Sequence, residues 1–280
     1  MNLIKNIHFE QHSQKGKQAL FFGANGFPTG CYAPLFEHLS DELALSALHS
    51  RATWPKQPLP KNLTWRTYID DLIYFIEHHI QQPVIGIGHS MGASITLFAS
   101  LKRPDLFRQL ILIEPAMTSP VIAKLLPIIP FAIAKRVQPI KYTVNKPQDW
   151  QSVACFYQDL RQRRVFRRIA DKHLRIMAEQ SLVPNKAGNF SLKFPKQWEA
   201  KNYATAPNLY NSFAKNSLPT TAIRGKPSIY FSERSWQVWQ QKSPSCAFLE
   251  DDNFGHLLPL ESPEKCAEMI FSGIERHNAT

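Results

Sequence analysis

The sequence lacks any apolar run long enough to cross a bilayer. Its longest, from Val121 to Ala134, is interrupted by Lys124, Pro127 and Pro130, whereas a spanning helix needs about 20 predominantly apolar residues. The N-terminal segment Met1-Asn2-Leu3-Ile4-Lys5-Asn6 has neither the apolar core nor the small-residue cleavage site of a secretory signal, so a cytoplasmic location is expected. Cysteine is scarce: Cys31, Cys155, Cys246 and Cys266 form no CxxC pair and no metal-ligand spacing with histidine. Free, buried thiols are the expected state. No internal repeat or low-complexity tract occurs, which removes repeat arrays from consideration.

Acidic residues are outnumbered, with 22 Asp and Glu against 33 Lys and Arg and a net charge of +11. Such a surface attracts anions, acidic membranes and nucleic acids. Arg161, Arg163, Arg164, Arg167, Arg168, Lys172 and Arg175 crowd one segment. A solvated helix face accounts for that cluster without a partner; an anionic lipid or membrane surface, or an acidic partner, is the sharper alternative. No nucleic-acid reading motif accompanies the charge, so specific nucleic-acid recognition is not expected.

What is present is a globular composition, 44% hydrophobic over 280 residues, enough for one large domain or a domain carrying an insertion. Ala19–Phe22, Ala44–His49, Pro83–Gly88 and Leu110–Ile113 read as strands. Helical patterns separate them: Leu35, Phe36, Leu39 and Leu43 share a face, as do Ile69, Leu72, Ile73 and Ile76 behind a candidate N-cap at Thr64. A further helix runs from Ala93 to Leu101. This alternation argues for a mostly parallel, doubly wound α/β sheet. From about Met117 to Ser217 the alternation stops, and mainly helical, proline-broken segments follow, including helical spacing over Gln158–Ser181. It resumes with strands at Pro219–Gly225 and Cys246–Leu249 and helices at Trp236–Gln241 and Pro263–His277. The expected organisation is a core of residues 1–116 and 218–280 with a cap insertion of residues 117–217, placed over the carboxyl ends of the strands where open α/β sheets bind ligands.

Chemistry concentrates at Gly88-His89-Ser90-Met91-Gly92, a G-x-S-x-G sequence between an apolar strand and a helix. A strand turning sharply into a helix leaves Ser90 exposed at the top of the sheet. The two glycines let strand and helix backbones approach, and the Met91 N–H points to where an oxyanion would form.

On these residues the chain resembles the α/β-hydrolase superfamily, specifically its cap-bearing, esterase- and lipase-like serine hydrolases. The resemblance implies a nucleophile at Ser90 and an oxyanion loop at Gly23-Ala24-Asn25, where Gly23 replaces the family's usual histidine. Asn25 supplies the second oxyanion donor, from its backbone N–H with its side chain as a further candidate. It also implies a general base at His256, in Asp251-Asp252-Asn253-Phe254-Gly255-His256 near the C-terminus. His89, beside the nucleophile, is read as structural and His78-His79 as solvated.

The acid is the anomalous member, because the usual aspartate position holds Ser228. Glu114, at the end of the strand after the nucleophile helix, is the favoured replacement, with Glu233 as alternative and an acid-free dyad as a third arrangement. Together these imply hydrolysis of an ester, thioester or related acyl bond in a small-molecule substrate, without metal or organic cofactor. The competing reading is a hydrolase scaffold that has lost catalysis and binds a ligand or partner. Ile122, Leu125, Leu126, Ile128, Ile129, Phe131 and Ile133 could line an acyl pocket or pack on the sheet, and packing is the expected role. Oligomeric state is not readable.

Overall fold

A computed structural model of the chain describes residues 7–117, 125, 128–209, 211–226, 228 and 231–277. The first half runs β1 (Phe9–Gln11), β2 (Lys17–Phe22), α1 (Ala33–Leu39), β3 (Leu43–Leu48), α2 (Trp65–Phe75), β4 (Val84–His89), α3 (Met91–Lys102) and β5 (Phe107–Ile113). An insert then carries α4 (Phe131–Ala134), α5 (Ile140–Asn145), β6 (Asp149–Trp150), α6 (Val153–Gln162), α7 (Asp171–Ser181), β7 (Leu182–Pro184), β8 (Phe190–Leu192) and α8 (Lys196–Ala204). The chain returns with β9 (Thr220–Gly225), α9 (Glu233–Lys242), β10 (Ala247–Asp251), α10 (Leu258–Glu261) and α11 (Pro263–Arg276).

The main sheet has the order β1-β3-β2-β4-β5-β9-β10. Every pair is parallel except β1 with β3. The two-residue period of the strands divides the core between two faces. Phe21, Ile85, Ile87, Ile111 and Ile113 point toward α1 and α11, packing with Leu35, Phe36 and Ile270. Leu20, Phe22, Leu110 and Leu112 point the other way, among Leu72, Phe75, Ile95 and Trp239. Burial on both faces explains why these strands read as continuous apolar runs and not as alternating ones.

Three features add to the sequence expectation. β1 is an added antiparallel edge strand; Phe9-Glu10-Gln11 has no strand signature of its own and is extended because it pairs with Leu48, Ala47 and Ser46. The insert is not wholly helical, because β6, β8 and β7 form a small antiparallel sheet. The helical spacing over Gln158–Ser181 belongs to α6 and α7, separated by an extended Arg163 and a single tight turn at Arg164–Phe166. Thr64 does occupy the N-cap of α2, but its side chain makes no capping hydrogen bond.

Because β5 and β9 are adjacent and parallel, the insert leaves the sheet at the carboxyl end of β5, beside the turn that follows β4. The cysteines are all free, but they are not all buried: Cys155, near the start of α6, is exposed and Cys246 is half-buried.

Candidate active site

Ser90 sits between the last residue of β4 and the first of α3, with φ 54° and ψ −116°. An L-residue adopts that backbone only under constraint, at a cost of about 1–3 kcal/mol. The constraints are local. The Ser90 N–H donates to the Ile113 carbonyl at 2.9 Å, and the Ser90 carbonyl accepts from the Ala116 N–H at 3.1 Å. Glycine is required on both sides. A Cβ on Gly92 would lie 1.9 Å from the Phe22 carbonyl oxygen, and one on Gly88 would lie 2.5 Å from the backbone of Ala93.

The Ser90 hydroxyl lies 3.1 Å from His256 Nε2. On the far side of the ring, His256 Nδ1 lies 2.9 Å from Glu114 Oε2. Glu114 is fully buried, held at the end of β5 with φ 48° and with its N–H on the Ile223 carbonyl at 2.8 Å. A buried carboxylate needs donors to replace water. Glu114 has the Gly225 N–H on Oε1 at 2.8 Å and the Ser228 hydroxyl on Oε2 at 2.6 Å, besides the imidazole. Ser228 therefore donates to the carboxylate that reaches the site from the neighbouring strand. Glu233 is engaged elsewhere: its carboxylate pairs with Arg224 at 2.7 Å, a contact that holds its pKa below the usual carboxylate range.

His89 joins two loops. The Tyr32 hydroxyl accepts from the Ala24 N–H at 2.9 Å and lies 2.8 Å from His89 Nδ1. His89 Nε2 lies 2.9 Å from the His256 carbonyl. Burial, reinforced by the charge of His256, lowers the pKa of His89 to about 3. The ring is thus neutral at ordinary pH, and the network assigns its proton to Nε2, with Nδ1 accepting from tyrosine. Tyr32 also explains Gly23, since a Cβ there would come 2.8 Å from the tyrosine ring. The loop that lacks a histidine at position 23 is braced by a tyrosine from nine residues on.

The backbone N–H of Asn25 has no hydrogen-bond partner among the described residues. Met91, the first residue of α3, presents an N–H that the helix itself cannot satisfy. The Asn25 side chain is engaged with the insert. Its Nδ2 donates to the Glu199 carbonyl at 3.0 Å, and its Oδ1 accepts from Asn202 Nδ2 at 2.9 Å. Asn202 in turn accepts from the Tyr68 hydroxyl at 3.0 Å and, through its carbonyl, from Trp65 Nε1 at 2.9 Å. This buried clamp fastens the Gly23-Ala24-Asn25 loop to α8 of the insert.

Ser90, Met91, Asn25 and His256 border a cavity of about 820 Å³ lying between the sheet and the insert. Its walls are mainly apolar. Leu125, Ile129 and Ile133 are among them, so these residues line space and do not pack on the sheet as expected, because this stretch packs through Phe131 and Ala134 on Ala200 and Ala204 of α8. Ile122 and Leu126 lie outside the described residues. Lys146 and Glu199, also on the wall, pair with each other.

Ser90, His256, Glu114, Asn25 and Met91 are brought together at one end of the cavity. Residues 33–263 match the family model described as alpha/beta hydrolase fold. Among curated proteins, the chain is 29% identical over 136 residues to a type I acyl-CoA thioesterase of Penicillium brevicompactum, a match covering 40% of this chain and 31% of that protein. The chain thus spans under a third of that relative's length. It is 22% identical to an abhydrolase domain-containing protein of Alternaria alternata, over 70% of this chain and 85% of that one. Among solved structures, E-2-(acetamidomethylene)succinate hydrolase superposes with a TM-score of 0.78 at 20% identity, covering 96% and 95% of the two chains. The peroxisomal alpha-beta-hydrolase Lpx1 of Saccharomyces cerevisiae superposes with a TM-score of 0.76 at 16% identity, covering 99% and 85%. With the family model spanning most of its length, the chain belongs to the alpha/beta hydrolase fold family.

Proposed function

We propose that the protein is a serine hydrolase that cleaves an ester, thioester or related acyl bond through an acyl-enzyme. The observation that carries this reading is the continuous path from Ser90 Oγ through His256 to Glu114, at 3.1 and 2.9 Å, opening on a mainly apolar cavity. Ser90 Oγ attacks the acyl carbon while its proton passes to His256 Nε2. Glu114 fixes the ring and stabilises the imidazolium. The N–H groups of Met91 and Asn25 receive the developing oxyanion, each worth roughly 3 kcal/mol in comparable sites. Protonated His256 then returns its proton to the leaving oxygen or sulfur as the tetrahedral intermediate collapses. Water, deprotonated by His256, attacks the acyl-enzyme and releases the carboxylate and free Ser90. The sequence of steps needs no metal or organic cofactor.

The relatives named for acyl-CoA thioester cleavage support an acyl substrate, and the mainly apolar wall suits a medium or long acyl chain. A fluorophosphonate probe should label Ser90, and Ser90→Ala should abolish both labelling and turnover of p-nitrophenyl esters with the fold intact. Absence of labelling in the unaltered protein would favour a ligand-binding scaffold without catalysis.

A further inference from the structure

We infer that the rim formed by residues 128–142, at the mouth of the cavity, rests on the surface of an anionic lipid membrane. Among the described residues, nine large apolar side chains are exposed, and six of them fall in one stretch: Leu125, Ile128, Ile129, Ile133, Val137 and Tyr142. Ile128 is 77% exposed, and all but Ile129 are more than half exposed. Scattered exposed apolar residues need no explanation, but a contiguous set beside a binding cavity marks an interaction surface.

The chemistry of the partner is given by charge. Lys135, Arg136 and Lys141 are exposed among these apolar residues and pair with no carboxylate among the described residues. The surroundings have the same sign. Residues 117–217 hold 17 Lys and Arg against 5 Asp and Glu, a net +12, whereas the rest of the chain holds 16 against 17, a net −1. Apolar side chains with basic ones between them suit shallow burial in the headgroup region of an anionic leaflet. No helix of the described residues is long and apolar enough to cross the membrane, so the contact is a surface one. A second copy of the chain is the other occupant an apolar rim suggests, but it would bring two +12 inserts face to face.

This locates the contact differently from the arginine cluster of the sequence. Arg161 pairs with Asp171 at 2.6 Å, Arg163 pairs with Asp159 at 2.5 Å and Arg168 donates to the Asn253 carbonyl at 3.2 Å. The first two contacts brace the insert internally, and the third ties it to the loop after β10. The inference does not depend on Ser90 acting as a nucleophile.

The test is co-sedimentation of the full chain, carrying Ser90→Ala so that no lipid is turned over, with two vesicle types. One is phosphatidylcholine alone and the other contains about one third phosphatidylglycerol. Binding is expected to the second only, and to weaken as NaCl rises from about 0.02 to about 0.5 M. Ile128→Asp and the pair Lys135→Glu/Arg136→Glu lie outside the cavity lining; each should lower partitioning at least about tenfold. A reversal at Arg164 and Arg167 should lower it less. Hydrogen exchange on the unaltered protein provides a second measurement that needs no rim variant: slower exchange over 128–142 with anionic vesicles supports the inference. Failure to bind, equal binding by the rim variants, loss only on reversal of Arg164 and Arg167, or a dimer in sedimentation velocity that Ile128→Asp dissociates would each overturn it.

Discussion

The sheet and the insert solve different problems with different residues. The sheet carries almost no net charge, and its strands are apolar on both faces. Two L-residues hold positive φ there, Ser90 and Glu114, both at strand ends and both in the site. The insert is strongly basic, has a small sheet and short helices, and contributes side chains to the cavity wall but none to the Ser90–His256–Glu114 path. Rigid parallel strands can hold strained backbone because their neighbours over-determine it. The chain between β5 and β9, which we propose to be a cap over residues 117–217, is thereby left to shape the cavity and meet what lies outside.

The sharpest way to break this division is to remove the acid from the sheet. Glu114→Gln should reduce kcat by about 10³–10⁴-fold, as expected when an imidazole loses its orienting carboxylate. Glu233→Gln, altering a carboxylate paired with Arg224, should leave kcat within about twofold. Ser228 already contacts Glu114 Oε2 at 2.6 Å, so the double variant Glu114→Gln/Ser228→Asp should recover at least about tenfold of the lost rate. Steady-state kinetics on one p-nitrophenyl ester decides all three. A Glu114→Gln protein with unchanged kcat would remove Glu114 from the mechanism.

The next effect lies where the two regions meet. Asn202→Ala removes the donor to Asn25 Oδ1 and the acceptor of the Tyr68 hydroxyl. Leaving those buried groups unsatisfied should cost about 2–3 kcal/mol of stability by urea unfolding. In the mechanism we propose, the Asn25 N–H acts only on the oxyanion, so kcat should fall about tenfold with KM nearly unchanged. Tyr68→Phe removes only the hydroxyl that donates to Asn202 Oδ1 and leaves the Asn202–Asn25 bond in place, so it should lose stability while leaving kcat nearly unchanged. Equal losses in kcat and in affinity would mean that the clamp shapes the cavity and not the oxyanion loop.

How much of this was legible in the sequence follows the same division. The parallel strands of the sheet, the turn at Ser90 and the loop bearing His256 are local patterns: an apolar run, a glycine-framed serine, a histidine after a last short strand. Glu114 was legible as a candidate because it ends a strand of the sheet. The clamp was not, because Asn25 and Asn202 are 177 positions apart and neither asparagine looks unusual in its own neighbourhood. Ser228 looked like a missing acid, since sequence places it by family position and cannot say what it touches. The break between α6 and α7 was masked by helical spacing on both sides. There the Arg161 guanidinium satisfies the Phe166 and Ile169 carbonyls, a tertiary contact that local propensity does not encode.

A smaller effect separates the regions by pH. His89 is buried in the sheet and its pKa falls to about 3, against an ordinary value near 6.5. Between those two values the unfolded chain binds a proton that the folded one does not, so stability rises with pH and the gain is complete above about 6.5. The slope from this residue approaches 1.36 kcal/mol per pH unit. His89→Gln should flatten it, as read by urea unfolding at about pH 4, 5 and 6. His173 in the insert is lowered in the same direction, first by burial and then by Lys172. It is much less enclosed, so His173→Gln should flatten the profile less. A profile unchanged by His89→Gln would mean that the relay from Tyr32 to the His256 loop tolerates an imidazolium.

The smallest effect divides the arginine cluster within itself. The Arg175 guanidinium lies 4.6 Å from the centre of the Tyr157 ring, and the Tyr157 hydroxyl donates to Asp171 at 2.8 Å. Arg175 thus braces α7 against α6 from outside. Such an exposed cation on an aromatic face contributes about 0.5–1 kcal/mol, and Arg175→Ala should lose that much in urea unfolding. Arg164 is exposed on the cavity lip and pairs with no carboxylate among the described residues, so Arg164→Ala should be neutral within about 0.5 kcal/mol. The contrast matters because the two residues are indistinguishable in the sequence, both being arginines in one basic run. If both substitutions are neutral, Arg164 and Arg175 are alike solvated surface, and their charge serves only the long-range field of the insert. If Arg164→Ala is the more destabilising, the insert is held by contacts on the cavity side, and the rim at 128–142 would be coupled to Arg164 and not independent of it.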